Sequence, residues 1–95
     1  MTWMIYGANG YTGELVAREA VRCGERPILA ARSPAVGRLA AELKLPKRVF
    51  GLDRIDLSGA DLVVHCAGPF SHTSAPMVDA CLRNGVHYLD LTGEI

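Results

Sequence analysis

The chain has 95 residues, 49% of them hydrophobic, and its ten basic and ten acidic residues give a formal net charge of zero. This length holds one domain, and the apolar content excludes a disordered chain. The basic residues are scattered without a stripe, so nucleic acid is not an expected partner. No apolar run approaches the roughly 18 residues that a membrane-spanning helix needs, so no membrane span is expected.

The cysteines also bear on the compartment. Cys23, Cys66 and Cys81 are widely spaced, odd in number and without a Cys-x-x-Cys pair, which favours a reduced protein. The three histidines and these cysteines match no zinc-binding spacing, so no metal site is predicted. The N-terminus lacks a secretory signal, and the expected location is cytoplasmic.

The first strand, loop and helix form the most informative segment. Residues 2–6 are apolar, as in a strand buried on both faces, and residues 12–22 are predicted to be helical. Between them stand Gly7, Gly10 and Gly13. Gly7 permits a sharp turn, Gly10 leaves no Cβ between backbone and phosphates, and Gly13 lets the helix pack closely. This arrangement holds the pyrophosphate of a dinucleotide at a helix N-terminus in a Rossmann-type fold.

Three further residues of this loop, Asn9, Tyr11 and Thr12, are predicted to hold phosphates through their backbone N–H groups. The Thr12 hydroxyl can bond a phosphate oxygen; its other role is a simple helix cap, and the two roles are compatible. Tyr11 packs either over the cofactor or against the protein.

Strands and helices alternate through the rest of the chain. Strands are predicted at residues 27–31, 48–52, 62–65 and 86–91. Helices are predicted to begin at Ser33-Pro34, where Ser33 caps, and at Ser74, with Pro76 in the first turn and Asn84-Gly85 at the end. This alternation predicts an α/β, Rossmann-like, doubly wound parallel sheet of about five strands in the order 3-2-1-4-5. The nucleotide is expected between the first and fourth strands.

Two helical faces and the chain end complete this organisation. Val36, Leu39, Ala40 and Leu43 follow a helical period. In the first helix, the residues predicted to face the sheet are Leu15, Val16, Ala20 and Val21. The chain ends soon after the fifth predicted strand, so residues 1–95 are interpreted as the N-terminal, NAD(P)-binding part of a longer protein, or as a small domain completed by a partner.

Arg32 and Ser33 follow the second strand, where NAD-binding proteins usually carry an acidic residue. An arginine there offers a planar, charged fork to a 2′-phosphate, and Ser33 adds a donor. The two residues therefore favour NADP over NAD. The alternative for Arg32 is a solvated surface side chain.

Two other segments are expected at the same edge. Asp53 follows the third strand, where a carboxylate can accept the amino proton of adenine, and the alternative is an ordinary turn aspartate. The segment Cys66-Ala67-Gly68-Pro69-Phe70 is predicted to be a loop past the cofactor ribose toward the nicotinamide. Its alternative is a structural turn. No catalytic acid–base pair is visible.

Together these motifs resemble a known family. The segments at residues 5–16, 29–32, 65–70, 80–81 and 87–94 are similar to the N-terminal domain of saccharopine dehydrogenase-like oxidoreductases, a group that includes trans-acting enoyl reductases. The resemblance implies a Rossmann domain of an NAD(P)-dependent oxidoreductase that performs nicotinamide hydride transfer. It implies that Cys66, Ala67, Gly68 and Phe70 line the ribose and nicotinamide side, and that a second domain binds the small-molecule substrate.

A non-catalytic, NmrA-like NADP-sensing module is the alternative function. A sheet that ends at the fifth strand also exposes an edge, through which a homodimer can form.

Overall fold

The computed structural model describes residues 1–67 and 70–90, and of residues 70–73 it describes the backbone alone. Its elements in chain order are β1 (Trp3–Tyr6), α1 (Tyr11–Arg22), β2 (Ile28–Ala31), α2 (Val36–Leu43), β3 (Lys47–Val49), β4 (Leu62–His65), α3 (Phe70–Asn84) and β5 (His87–Asp90).

The five strands form one parallel sheet in the order β3-β2-β1-β4-β5, which confirms the predicted topology. β1 is central: Ile5 lies opposite Leu29 of β2 and Val64 of β4. The chain order reverses between β1 and β4, so the loops that leave these strands part at their carboxyl ends. A crevice for a ligand is therefore expected at this edge.

Each face of the sheet has its own hydrophobic core. The core shared with α1 and α2 contains Ile5, Leu29 and Leu39. The core on the opposite face contains Met4, Val63 and Met77 of α3. β1 and β2 are almost wholly buried since both faces are covered, whereas the second face of β5 is open and Leu89 is 57% exposed.

Two of the helices end at a glycine with a positive φ. After α1, Gly24 has a φ of +85°, its N–H donates to Val21, and the Glu25 N–H donates to Ala20. This is the Schellman arrangement that a glycine after the helix favours. Gly85 after α3 has a φ of +67°. After α2 the left-handed residue is Lys44, with a φ of +58°, where a side chain is strained.

Several predicted boundaries are wrong. β3 ends at Val49, because residues 51–54 form a turn closed by the Arg54 N–H on the Gly51 carbonyl. α2 begins at Val36, since Ser33 and Pro34 form hydrogen-bonded turns before it. β5 begins at His87 and not at residue 86. Its predicted end, residue 91, lies outside the described residues.

The predicted loop after β4 is also shorter than expected. α3 already begins at Phe70, so Pro76 lies inside the helix and not in its first turn. A proline there forgoes one backbone hydrogen bond but does not end the helix.

The predicted sheet-facing side of α1 needs one correction. Leu15 is 52% exposed, and the buried residues are Gly13, Ala17 and Ala20. These small residues recur at helical spacing, so the backbone of α1 lies close to the sheet and Leu15 turns away from it.

In the described part of the chain, no helix is long and apolar enough to cross a membrane.

Candidate nucleotide-binding site

Gly7 is the residue at which β1 turns into the glycine-rich loop. Its φ of +85° lies in the left-handed region. Its N–H and that of Ala8 both donate to the Ala30 carbonyl, at 2.8 and 3.1 Å. A Cβ on Gly7 would lie 2.7 Å from the backbone nitrogen of Ala67, in the segment after β4. Glycine is therefore required both for the backbone angle and for the contact between the two loops.

Gly13 lies in the first turn of α1 and is buried. A Cβ there would lie 2.2 Å from the Gly7 carbonyl oxygen and 2.8 Å from the Ala8 Cα. The helix therefore packs directly on the loop that leaves β1.

Gly10 differs from the other two glycines. It is the N-cap of α1, with φ −80° and ψ 172°, angles that any residue adopts. Among the described residues, only the Gly7 carbonyl oxygen would lie within 4 Å of a Cβ on Gly10, at an ordinary 3.4 Å. The packing of the protein itself therefore does not require a glycine at this position.

The first turn of α1 presents its N–H groups to the same edge. The first helical hydrogen bond joins the Glu14 N–H to the Gly10 carbonyl at 2.8 Å, so the N–H groups of Tyr11, Thr12 and Gly13 precede the helical ladder. Asn9 and Thr12 are exposed. The simple helix-cap alternative for Thr12 is wrong because Gly10 is the N-cap. Tyr11 is 83% exposed, so its side chain packs little against the described residues.

Arg32 and Asp53 meet at one corner of this edge. The Cγ and Cδ atoms of Arg32 lie 3.7 and 3.8 Å from the place that a Cβ on Gly51 would take, and Asp53 Oδ1 lies 2.8 Å from it. Burial raises the pKa of the Tyr6 hydroxyl. The positive charge of Arg32 lowers this pKa, and the negative charge of Asp53 raises it. The missing side chain of Gly51 thus leaves room for both groups. The role of Gly51 was not predicted, because the glycine lies within the strand expected at residues 48–52.

Ser33 lies beside Arg32 and is exposed. Its Oγ accepts a hydrogen bond from the Ala35 N–H at 3.1 Å, so it caps the turn before α2, while the N-cap of the helix is Ala35. The hydroxyl still has a hydrogen to donate.

Cys66 and Ala67 bring the fourth strand to the site. The Cys66 N–H donates to the Tyr6 carbonyl at 2.8 Å, and burial raises the pKa of its thiol to about 11. The thiol is therefore protonated at neutral pH, which argues against a nucleophilic role. Gly68 lies outside the described residues, as does the side chain of Phe70, the first residue of α3.

A groove of about 560 Å³ runs from the glycine-rich loop between α1 and α2. Arg18 bridges the two helices, with ion pairs of 2.8 Å to Glu14 and 2.7 Å to Glu42. Asn9 and Arg38 lie along the groove. No cluster of three metal-ligating side chains is found in the described part of the chain.

Three comparisons place this geometry among known proteins. The family model of the saccharopine dehydrogenase NADP binding domain matches residues 3–94. A saccharopine dehydrogenase-like oxidoreductase of Arabidopsis thaliana is 32% identical over 96% of this chain and 25% of its own length. A trans-acting enoyl reductase of Mycobacterium tuberculosis is 28% identical over 97% of this chain and 25% of its own.

A solved structure shares the fold. The yeast methylglyoxal/isovaleraldehyde reductase Gre2, complexed with NADPH, is similar with a TM-score of 0.74 and 18% identity, over 90% of this chain and 33% of that one. The two curated relatives, from Arabidopsis and Mycobacterium, are longer proteins, and this chain spans about a quarter of the length of each.

Proposed function

Because this chain belongs to the saccharopine dehydrogenase NADP-binding domain family, we propose that it binds NADP(H) as the cofactor-binding part of an oxidoreductase. The bound cofactor supplies hydride transfer, and the residues of this chain bind and orient it. The small-molecule substrate is then bound by the further part that the longer relatives have.

The observation that carries the proposal is the open space around Gly10. Its backbone angles and its surroundings tolerate a side chain, so the open space at this position serves something other than packing. The N–H groups at the start of α1 border that space, and the helix N-terminus adds a partial positive charge. This combination suits a pyrophosphate, for which a Cβ on Gly10 would be an obstacle.

The other proposed roles follow the four strand ends. The residues assigned to the pyrophosphate are Gly7, Asn9, Gly10, Tyr11, Thr12 and Gly13. Arg32 and Ser33 are assigned to the 2′-phosphate and Asp53 to the adenine. The residues assigned to the ribose and nicotinamide side are Cys66, Ala67, Gly68 and Phe70.

Arg32 supports NADP over NAD. No acidic residue follows β2 directly, and the arginine extends over Gly51 at the corner where a 2′-phosphate is expected. Asp53 at the same corner repels a phosphate, so the preference depends on the balance between the two charges. NAD is the alternative that this balance leaves open.

Calorimetric titration of the chain with NADPH and with NADH tests the proposal. We expect tighter binding of NADPH, and we expect Arg32→Ala to weaken NADPH by about 10- to 100-fold, the range for a charge-assisted hydrogen bond, with little effect on NADH. Arg22→Ala, an exposed arginine at the far end of α1, is the matched control and leaves both affinities unchanged.

Gly10→Val tests the pyrophosphate assignment separately. We expect it to keep a folded protein and to weaken both dinucleotides. Failure of the wild type to bind either dinucleotide would refute the proposed function. If NADPH and NADH bind equally well and Arg32→Ala changes neither affinity, the nucleotide site stands but the 2′-phosphate role of Arg32 is refuted.

Catalysis and assembly have tests of their own. NADPH oxidation by a protein as long as the curated relatives supports the oxidoreductase function. Cofactor binding without turnover of any substrate supports the NADP-sensing function. Homodimer formation through the edge strand β3 or β5 is checked by sedimentation, in which a monomer at high concentration contradicts it.

A further inference from the structure

We propose that His65 is a positioning residue that holds the segment after β4 against the glycine-rich loop and thereby sets the affinity for the dinucleotide. The inference rests on the proposed function of the site, and it assigns a role to a side chain that does not itself reach the expected ligand.

His65 forms a hydrogen bond to the chain that follows it. His65 is the last residue of β4 and is fully buried. Its Nε2 lies 3.0 Å from the carbonyl oxygen of Ala67, two residues further along the chain. A carbonyl oxygen only accepts, so Nε2 carries the proton. Burial, the largest effect, lowers the pKa of the ring, so the neutral Nε2–H form is the one that holds Ala67 near pH 7.

The neighbouring rings fix the direction of this hydrogen bond. β4 lies between β1 and β5, and the ring of His65 packs on Tyr6 and Tyr88, with centroids 5.6 and 5.9 Å away. Each tyrosine is itself anchored: Tyr6 donates to the Phe50 carbonyl at 2.9 Å, and Tyr88 donates to Asp90 at 2.8 Å. A ring held on both sides by anchored neighbours has little freedom to rotate, so Nε2 keeps its aim.

Ala67 passes this position on to the phosphate-binding loop. Its nitrogen, Cα and Cβ lie 2.7–2.9 Å from the place of a Cβ on Gly7. The Gly7 carbonyl in turn accepts from the Gly10 N–H at 3.1 Å and lies against Gly13. A displacement of Ala67 is therefore transmitted to the turn that is expected to hold the pyrophosphate, since the packing leaves no slack.

Two substitutions separate the hydrogen bond from the ring. His65→Phe retains a ring between the two tyrosines and removes the donor, while His65→Gln places an amide nitrogen near the position of Nε2. The control is Ile28→Val, which loosens the same core at the amino-terminal end of β2, away from both loops.

The affinity for NADPH is measured by calorimetry, and the distance between the Ala67 methyl group and the Gly7 α-protons by NOE in the free protein. We expect His65→Phe to weaken NADPH by about 3- to 10-fold, the effect of one ordinary hydrogen bond, and to weaken the NOE. We expect His65→Gln to restore both. Ile28→Val lowers the melting temperature and leaves both unchanged.

Three results would overturn the inference: wild-type affinity in His65→Phe, an equal loss of affinity in Ile28→Val, or an Nδ1–H tautomer of His65 in the ¹⁵N spectrum of the wild type. The tautomer needs no variant, so it decides even where His65→Phe does not fold. Failure of the wild type to bind either dinucleotide refutes the proposed function, and the NOE comparison then decides whether His65 holds Ala67.

Discussion

Replacement of Gly13 by alanine is the sharpest test of how α1 rests on the glycine-rich loop. An alanine inside a helix ordinarily gains up to about 1 kcal/mol over glycine. Here its Cβ would lie 2.2 Å from the Gly7 carbonyl oxygen and 2.8 Å from the Ala8 Cα, both backbone atoms of the loop. Relief requires the helix and the loop to separate, and overpacking of this kind costs about 3 kcal/mol. The net loss is then about 2 kcal/mol, which lowers the melting temperature of a chain this size by about 8–16 °C.

Thermal unfolding followed by circular dichroism measures this loss, and two other glycines are matched controls. Gly24→Ala meets no atom within 4 Å but keeps a φ of +85°, so it should cost only about 1 kcal/mol. Gly10→Ala meets ordinary contact at 3.4 Å, so its cost should be limited to the weaker N-cap preference of alanine, about 0.5–1 kcal/mol. A Gly13→Ala protein that melts within about 2 °C of the wild type would refute the argument that α1 packs directly on the loop.

Three further predictions concern other positions. Lys44→Gly relieves the left-handed φ of +58° and should raise the melting temperature by about 4–8 °C, whereas Lys44→Ala should not; equal melting of all three proteins contradicts this. Burial lowers the pKa of His65 below its usual 6.5, so as the pH falls the unfolded chain protonates this ring before the folded chain does. Stability is therefore retained above pH 6.5 and declines as the pH falls below 6.5. Urea unfolding at pH 7.5 and 5.5 should show a smaller decline in His65→Gln, and an equal decline in both proteins counts against the assignment. With a pKa of about 11, only about one Cys66 thiol in a thousand is ionised at pH 8, so mass spectrometry should find iodoacetamide on the exposed Cys23 well before Cys66.

The fold was predictable because its signals are local. The strand alternation and the glycine spacing after Tyr6 depend on backbone preferences and on short-range apolar periods. β4 is observed at its predicted bounds, Leu62–His65, and the left-handed residue after α3 is the predicted Gly85. These features need no knowledge of which distant residues meet.

Local periodicity did not decide the orientation of α1 or the boundary of α3. Leu15 belongs to an apolar helical face, yet the close approach of α1 to the sheet selects Gly13, Ala17 and Ala20 for burial. α3 extends back to Phe70 through Pro76, whose position suggested a later start. In both cases the element was predicted correctly and its orientation or boundary was not.

The sequence by itself therefore determined the class of fold, the strand order and the loop that is expected to bind phosphate, since each follows from residues near one another in the chain. Only the tertiary structure placed Ala67 against Gly7, set Gly51 between Arg32 and Asp53, and directed Nε2 of His65 to the Ala67 carbonyl. Gly7 and Ala67 follow different strands, as do Arg32 and Gly51, and the aim of His65 depends on the rings beside it. No local pattern encodes such distances, because they exist only after the strands have paired.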